Sequence, residues 1–504
     1  GGRPAAASPI PADDPAAALV AALERSLTPT ERKQGAHYTP ADLADRLVQL
    51  AAQGRRPGRW TVVDPACGGG AILLAAGRHL VAAGVPIDVV ARDLLWGADV
   101  DPLAAAVTDA AIALWSRGTV PATGHVAVAD ALVSGRATWP AMPTAGFDLV
   151  VGNPPFQGQL SRSTTRTAAD QARMRARFGD AVSPYVDTAA LFLLAGVDLA
   201  KRGGRVALVQ PRSTAAARDA GPVRAALAER ARLTELWAPP GFAFAARVHV
   251  CVPVLAVGRR EGEPDWGARL AEGEGVPVVA LDEGARTVGH LATAVAPFRQ
   301  HYYGLVPHVR EAARAAGARP LVTSGLLDVG RSAWGRQPTR FAGREWRRPS
   351  VDRRSLARED PGLAQWVDRL AVPKVLVASQ TKVIEAAADP GGRWVPCTPV
   401  VSVLPKRPAD VDLVAAAVSA PPAAAWAAAR AAGTGLSPGA IRMSADLALS
   451  VPLPADRRRW RQSADALAAG DLDAFAELAT AAHRLPDAAA AAVLAWWRAH
   501  VGLG

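Results

Sequence analysis

The segment with the most specific chemistry is Phe147-Asp148-Leu149-Val150-Val151-Gly152-Asn153-Pro154-Pro155-Phe156. An apolar strand runs into two consecutive prolines, which cannot continue inside a sheet, so the chain leaves the strand's end with stiff geometry. Two acceptors stand together there, the side-chain oxygen of Asn153 and the backbone carbonyl of Pro154, and the aromatic face of Phe156 follows. That set suits an amino nitrogen whose lone pair is delocalised into a π-system. No base need remove a proton before such a nitrogen attacks. Two acceptors aimed at its N–H bonds favour a tetrahedral nitrogen with an available lone pair, and their orientation is built before the reaction.

A second set of residues lies upstream. Val62-Val63-Asp64-Pro65-Ala66-Cys67-Gly68-Gly69-Gly70 ends a strand in an acid, crosses three glycines and enters a helix expected over residues 71–80. Glycines let a ligand approach backbone N–H groups, and a helix N-terminus favours negative charge, although a Gly-rich turn can also be purely structural. Gly97-Ala98-Asp99-Val100-Asp101 ends a second strand in Asp99, and Asp130 follows a third. Ligands of doubly wound sheets bind at the carboxyl ends of the strands, so three carboxylates at successive ends define one pocket.

The elements that must position these groups alternate. Short β-type runs at 60–63, 95–100, 125–128, 147–151, 205–209 and 248–257 are separated by Ala/Leu-rich helical stretches. The pattern predicts an α/β fold, a doubly wound and mostly parallel sheet. Residues 1–15, rich in Pro, Ala and Gly, read as a flexible lead-in. A polar, Gly-rich stretch at 261–274 divides a domain over 16–265 from one over 266–504. The second half reads as a mixed α/β domain with strands at 375–378 and 400–404, plain Ala-rich helix at 423–432 and a helical tail over 464–500.

On these residues the chain resembles gamma-class (Taq-type) adenine-N6 DNA methyltransferases of restriction-modification or defence systems. Asp64-Pro65-Ala66-Cys67-Gly68-Gly69-Gly70 is similar to their Asp-Pro-Ala-Cys-Gly-Ser-Gly signature, with Gly69 in place of Ser. Gly35-Ala36-His37-Tyr38-Thr39-Pro40 is similar to their Gly-x-x-Tyr-Thr-Pro element, which closes over the methionine moiety of S-adenosylmethionine. Read as local structure, Thr39 is also a helix N-cap with Pro40 at the first helical position. The resemblance implies a Rossmann-like S-adenosylmethionine methyltransferase fold with a C-terminal target-recognition domain. It implies a cofactor site of Tyr38, Thr39, Pro40, Asp64, Ala66, Cys67, Gly68, Gly70, Asp99 and Asp130. Asp64 would face the methionine end, Asp99 the ribose hydroxyls and Asp130 the adenine amino group.

Asn153, Pro154, Pro155 and Phe156 are then the catalytic set. Phe156 stands where the family most often has Tyr, and it stacks on a base rotated out of the duplex. The family places another aromatic against that base; Phe244 is the candidate, Phe242 the next, and packing in the core is the other reading of both. Cytosine-N4 enzymes usually carry Ser or Asp where Asn153 stands, which favours adenine N6. Cytosine-C5 chemistry needs a thiolate, and the one Pro-Cys dipeptide, Pro396-Cys397, lies in the other domain.

The second domain carries a dense basic run. Arg331, Arg336, Arg340, Arg344, Arg347, Arg348, Arg353 and Arg354 face only Glu345 and Asp352, with Trp334, Phe341 and Trp346 between them. Such interleaving is expected where a surface tracks a phosphate backbone and touches bases or sugars, and also in a solvated loop held by cation–π contacts. Arg336, Arg347 and Arg348 are its substrate-binding candidates. Arg162, Arg166, Arg173, Arg175 and Arg177 offer a second basic stretch, either ordering over phosphate or remaining a solvated loop. Residues 379–386 and 394–401 resemble the Taq-type recognition domain more loosely.

The composition agrees and excludes alternatives. In 504 residues, 57 Lys+Arg outnumber 46 Asp+Glu, and nearly all of the basic side is Arg, which binds phosphate bidentately. Genomic codon bias yields the same excess. Cys67, Cys251 and Cys397 form no pair spacing, so neither a disulfide framework nor a metal module is expected, and the chain reads as cytoplasmic. No run approaches the ~18 apolar residues that span a bilayer. The expected partner is double-stranded DNA, with a restriction endonuclease or other defence subunit encoded upstream or on another chain. Two further readings stand beside DNA methylation: a protein-glutamine N5 methyltransferase, whose amide nitrogen poses the same lone-pair problem, and a catalytically idle, cofactor-binding DNA-recognition subunit.

Overall fold

The computed structural model describes residues 14–26, 39–156, 167–183, 185–239, 241, 248–258, 265–282, 286–311 and 318–502. Two compact units divide the chain at Trp266/Gly267.

In the first unit, β1 (Val62–Asp64) lies between β2 (Leu95–Asp99) and β4 (Phe147–Gly152), all parallel. Beyond β2 comes β3 (Val126–Val128) and beyond β4 comes β5 (Ala200–Leu208), also parallel. The short β6 (Gln210–Pro211) and the longer β7 (Ala231–Trp237) both pair antiparallel with β8 (Val250–Val257), which runs antiparallel to β5. The strand order reverses at β1, and the crevice outside the carboxyl ends of β1 and β4 is where such sheets bind ligands. β1 and β4 are buried along their whole length, as strands covered on both faces must be.

The covering helices follow from apolar stripes and caps. Five helices concern the site: α1 (Pro15–Ser26), α2 (Ala41–Ala52), α3 (Ala71–Ala82), α4 (Pro102–Trp115) and α5 (Ala131–Ser134). Leu43, Leu47, Val48 and Leu50 of α2 enter the core with Leu73 and Leu80 of α3. Asp101 caps α4 by accepting from the Leu103 N–H at 2.9 Å, with Pro102 at the first helical position. α6 (Ala168–Phe178) and α7 (Thr188–Leu199) follow β4, and α7 packs on β4 and β5 with nearly every residue buried.

The sequence reading has no strand at β7. Its burial only partly alternates, with Arg232, Thr234 and Glu235 interrupting the apolar residues, so no continuous apolar run marks it.

The second unit holds more strands than the two expected. An antiparallel sheet runs β18 (Ala386–Asp389), β17 (Lys374–Val377), β20 (Val401–Pro405), β9 (Ala292–Val295). A second sheet combines β10 (Val309–Glu311), β16 (Pro349–Asp352), β11 (Ala318–Val322) and β19 (Val395–Pro396). Two small hairpins stand apart: β12 (Leu327–Asp328) with β13 (Arg331–Ser332), and β14 (Thr339–Phe341) with β15 (Arg344–Trp346). The expected helical tail is three helices, Arg457–Ala469, Leu472–Ala482 and Asp487–Val501. Lys374 and Asp389 form a fully buried ion pair at 2.7 Å across β17 and β18. Among the described residues no single helix is long and apolar enough to cross a membrane.

Candidate active site

Because β1 sits between β2 and β4, the ends of these strands bring Asp64, Asp99 and Asn153 to one edge of the sheet. Asp64 is 1% exposed, and its Oδ1 accepts the Ala66 N–H at 3.0 Å. Burial pushes its pKa up to about 8; the Ala66 N–H opposes this and the charge of Asp99 adds to it. Asp99 accepts the Gly68 N–H on Oδ2 at 2.9 Å and the Asp101 N–H on Oδ1 at 3.0 Å. Burial still raises its pKa above the usual carboxylate range.

The glycine loop between them is held from beneath. Gly68 and Gly70 have φ of +52° and +90°, the left-handed region that glycine adopts without strain. Cys67 N–H donates to Ala98 O and Gly70 N–H to Cys67 O, each at 2.9 Å. Thr108 on α4, fully buried, donates to Gly68 O at 2.7 Å, and a Cβ on Gly70 would lie 3.1 Å from its Oγ1. Gly68 has no neighbour within 4 Å of a Cβ position, so its outer side is open to a ligand. The Cys67 side chain points into the core, where burial raises its thiol pKa well above the ordinary value; only its backbone belongs to the loop surface. Cys397 is buried too, its thiol pushed up to about 12, so neither is a thiolate nucleophile near neutral pH.

Asp130 stands two residues past β3. Its Oδ1 caps α5, accepting from the Leu132 and Val133 N–H groups at 3.0 and 3.3 Å.

Asn153 follows β4 directly, with Pro154 buried and Pro155 half-buried. Its Nδ2 donates to Thr39 Oγ1 at 3.1 Å, although the two residues are 114 positions apart. Thr39 is not the helix cap that the local reading allowed. Pro40 occupies the cap position of α2 without a side-chain bond, and the Thr39 hydroxyl is turned to Asn153 instead. Phe156 is half-buried and packs against the edge of the first unit's core. Tyr38 and Phe244, with Phe242, lie outside the described residues, as do Arg162 and Arg166.

Two groups escape the motif reading. Gly152 precedes Asn153, and a Cβ on it would sit 2.6 Å from Asp64 Oδ1. Thr108 looks like one more residue of an apolar helix. The glycine next to Asn153 was visible as a signal; Thr108 had none.

Elsewhere the basic stretches separate into tied and untied arginines. Arg177 is structural: it donates to Leu132 O, pairs with Asp198 and lies over the Phe178 ring at 4.6 Å. In the second unit Arg331 pairs with Asp328 at 3.1 Å, and Arg353 pairs with Asp368. Arg336, Arg340, Arg344, Arg347, Arg348 and Arg354 are exposed and form no ion pair with a described residue. The backbone N–H groups of Arg347 and Arg348 donate to Glu311 at 3.2 and 2.7 Å, which fixes the chain while leaving both side chains outside. The aromatics between them are drawn toward the core. Phe341 is buried, and Trp334 and Trp346 are half-buried with their indole N–H groups on Pro349 O (2.8 Å) and Phe341 O (3.1 Å). Phe341 belongs to one of the second unit's cores, and Trp334 and Trp346 pack against the cores from their edges. A cavity of about 480 Å³ in this unit, lined in part by Arg286, Trp460 and His483, contains none of the groups described above.

Residues 22–266 match the family model for N-6 DNA methylase. No curated protein matches in sequence. Among solved structures, the type IIL restriction-modification enzyme MmeI, determined in complex with DNA, overlays with a TM-score of 0.60. The overlay spans 96% of this chain and 79% of that one at 12% identity, a likeness of fold across both units. The type IIG restriction endonuclease BpuSI overlays at 0.41, with 12% identity over 97% of this chain and 67% of that one. A type I restriction-modification methyltransferase subunit from Streptococcus thermophilus overlays at 0.36, with 22% identity over 44% of this chain and 45% of that one.

Proposed function

We propose, from the match of residues 22–266 to the N-6 DNA methylase family model, that the chain is a site-specific DNA adenine-N6 methyltransferase. S-adenosylmethionine is the cofactor, and the residues fit it. The glycine loop leaves an open cradle at Gly68, and acids stand at or just past the ends of three adjacent strands. One of them, Asp64, is a buried carboxylate whose ionised form has no cationic partner among the described residues. Bound, the cofactor supplies an electrophilic methyl group on a sulfonium. Asp64 holds its ammonium, Asp99 the ribose hydroxyls and Asp130 the adenine amino group, with Tyr38, Thr39 and Pro40 closing over the methionine end. Ala66, Cys67, Gly68 and Gly70 contribute backbone, not side chains.

The target base must leave the duplex to reach this edge of the sheet. Asn153 Oδ1 and Pro154 O accept its two N6–H bonds, Pro155 keeps the turn stiff, and Phe156 with Phe244 flanks the ring. Rate enhancement comes from acceptors fixed in advance and not from a general base. Arg336, Arg347 and Arg348 bind DNA phosphates, a role supported by their exposure and by the absence of an acidic partner among the described residues. A restriction endonuclease acting on the same site is the partner class this reading implies, and genomic DNA as substrate puts the protein in the cytoplasm.

The observation that carries the reading is the meeting of Asn153 with Thr39 beside Asp64, three motifs remote in sequence gathered at one switch point. Incubation with methyl-labelled cofactor and mixed DNA, followed by digestion to nucleosides, tests it. Label in N6-methyladenine is the expected result. Label in N4-methylcytosine overturns the base assignment, label in protein favours glutamine methylation, and no label favours an idle recognition subunit.

A further inference from the structure

We propose that Thr39 sets which end of the Asn153 side-chain amide faces the target base, a positioning role that rests on the reading of Asn153 as an acceptor. The two ends of an asparagine amide are alike in size and opposite in hydrogen-bonding sense. Facing an amino group, the oxygen end accepts, while the nitrogen end sets donor against donor. The terminal torsion is broad and roughly two-fold, so the stiff backbone at Pro154 and Pro155 does not choose between them. A second contact must choose. The described contact is Asn153 Nδ2 to Thr39 Oγ1 at 3.1 Å, on a threonine that is 9% exposed and so largely shielded from competing water.

A hydroxyl alone is ambivalent, because it can donate to an amide oxygen as well as accept from an amide nitrogen. What removes the ambiguity is an acceptor for the hydroxyl's own proton. Once Thr39 donates elsewhere, only its lone pairs remain for Asn153, and Nδ2 is the end that must turn to it. The carboxylate at the methionine end of the cofactor is such an acceptor. Thr39 thereby links an occupied cofactor site to the productive orientation of Asn153. Gly152, pressed against Asp64, holds Asn153 beside the same site.

Asn153 is the sole asparagine of the chain, so labelling asparagine with ¹⁵N at the side-chain nitrogen gives a single amide pair to follow by NMR. With S-adenosylhomocysteine added, the wild-type pair is expected to shift and to exchange slowly with solvent. Thr39→Ser keeps this behaviour, and Thr39→Val returns the pair toward that of a free amide. An amide signal indifferent to Thr39→Val overturns the proposal. In single turnover at saturating cofactor, on the DNA site identified by sequencing of methylated DNA, Thr39→Val is expected to be slower by about tenfold, the scale of one lost hydrogen bond. Thr39→Ser stays within about twofold. In an Asn153→Asp background, which has no amide to orient, Thr39→Val should cost little more; an equal loss in both backgrounds means that Thr39 acts through the cofactor alone and overturns the proposal. If Asn153→Ala keeps full rate, the acceptor reading itself fails. If Asn153→Ala is slow and Thr39→Val is silent, only the inference about Thr39 fails.

Discussion

Cofactor binding should be coupled to a proton, and Asp64 fixes the sign and size of that coupling. Its carboxyl is pushed up to about 8, chiefly by burial, so at pH 7 roughly nine molecules in ten hold it protonated before the cofactor arrives. The α-ammonium it is proposed to meet is that of a free amino acid, whose own carboxylate keeps it charged to higher pH than a peptide amine. A carboxylate paired with an ammonium needs one proton between them. Below pH 8 both free partners carry one, so binding releases close to one proton; the release fades as pH rises through 8, where the free carboxyl is already ionised. Affinity therefore rises with pH up to about 8 and is weaker by about fiftyfold at pH 6, provided pairing holds the bound carboxyl well below that pH. Calorimetry with S-adenosylhomocysteine in buffers of different ionisation heat, at pH 6.5, 8 and 9, reads the proton count directly. Asp64→Asn should abolish the release at pH 6.5. The same group has a stability signature: its folded value lies above its unfolded one, so its contribution is complete below about pH 4 and is lost at about 1.4 kcal/mol per pH unit as pH rises toward 8. Bound cofactor should relieve that loss, giving a thermal shift that grows from pH 6 to pH 8. Binding without proton release at pH 6.5, or release that survives Asp64→Asn, would refute the assignment of Asp64 to the ammonium.

Asn153→Ala should leave the cofactor dissociation constant within about twofold while lowering the single-turnover rate by roughly 10²–10³, the scale for one preorganised group acting in the transition state. Gly152→Ala puts a methyl 2.6 Å from Asp64 Oδ1; scanning calorimetry should show a stability loss of about 1–3 kcal/mol, with weaker cofactor binding measured by titration. Arg347→Ala combined with Arg348→Ala should flatten the plot of log K against log salt by up to about two units, since each phosphate contact contributes about −0.9. Arg331→Ala and Arg353→Ala, whose partners are Asp328 and Asp368, should leave that slope nearly unchanged.

The first unit was legible because its chemistry sits where secondary structure changes, and those changes are written in residues of extreme backbone preference. Gly68, Gly69 and Gly70 could only be a turn, Pro154 and Pro155 could only end a strand, and the apolar runs before them could only be buried strands. What stayed hidden are contacts made by ordinary residues. Thr108 beneath the glycine loop and Thr39 against Asn153 belong to no local pattern, since each is selected by a partner about 40 or more residues away. β7 was missed for a related reason: with Arg232, Thr234 and Glu235 breaking its apolar run, its identity comes from the neighbour β8 and not from its own residues.

The second unit is harder to read, because alternation of arginine with aromatic residues has two origins that look identical in sequence. A surface that stacks bases and binds phosphates interleaves them, and so does a strand with one buried face, where side chains alternate with a period of two. The hairpin β14–β15 is the second case: Thr339 and Phe341 turn inward while Arg340 turns outward, and across the turn Arg344 is exposed while Trp346 packs inward. Phe341 is thus committed to the core and Trp346 packs against it, while the arginines face outward. Guanidinium groups on a hairpin braced by backbone bonds to Glu311 are suited to phosphates, contacts that carry little sequence information. Phosphate contacts of that kind leave specificity for one DNA site to groups that reach base edges. It follows that Arg347→Ala and Arg348→Ala should weaken specific and random DNA in the same proportion. A loss confined to the methylated site would mean instead that one of these arginines reads a base.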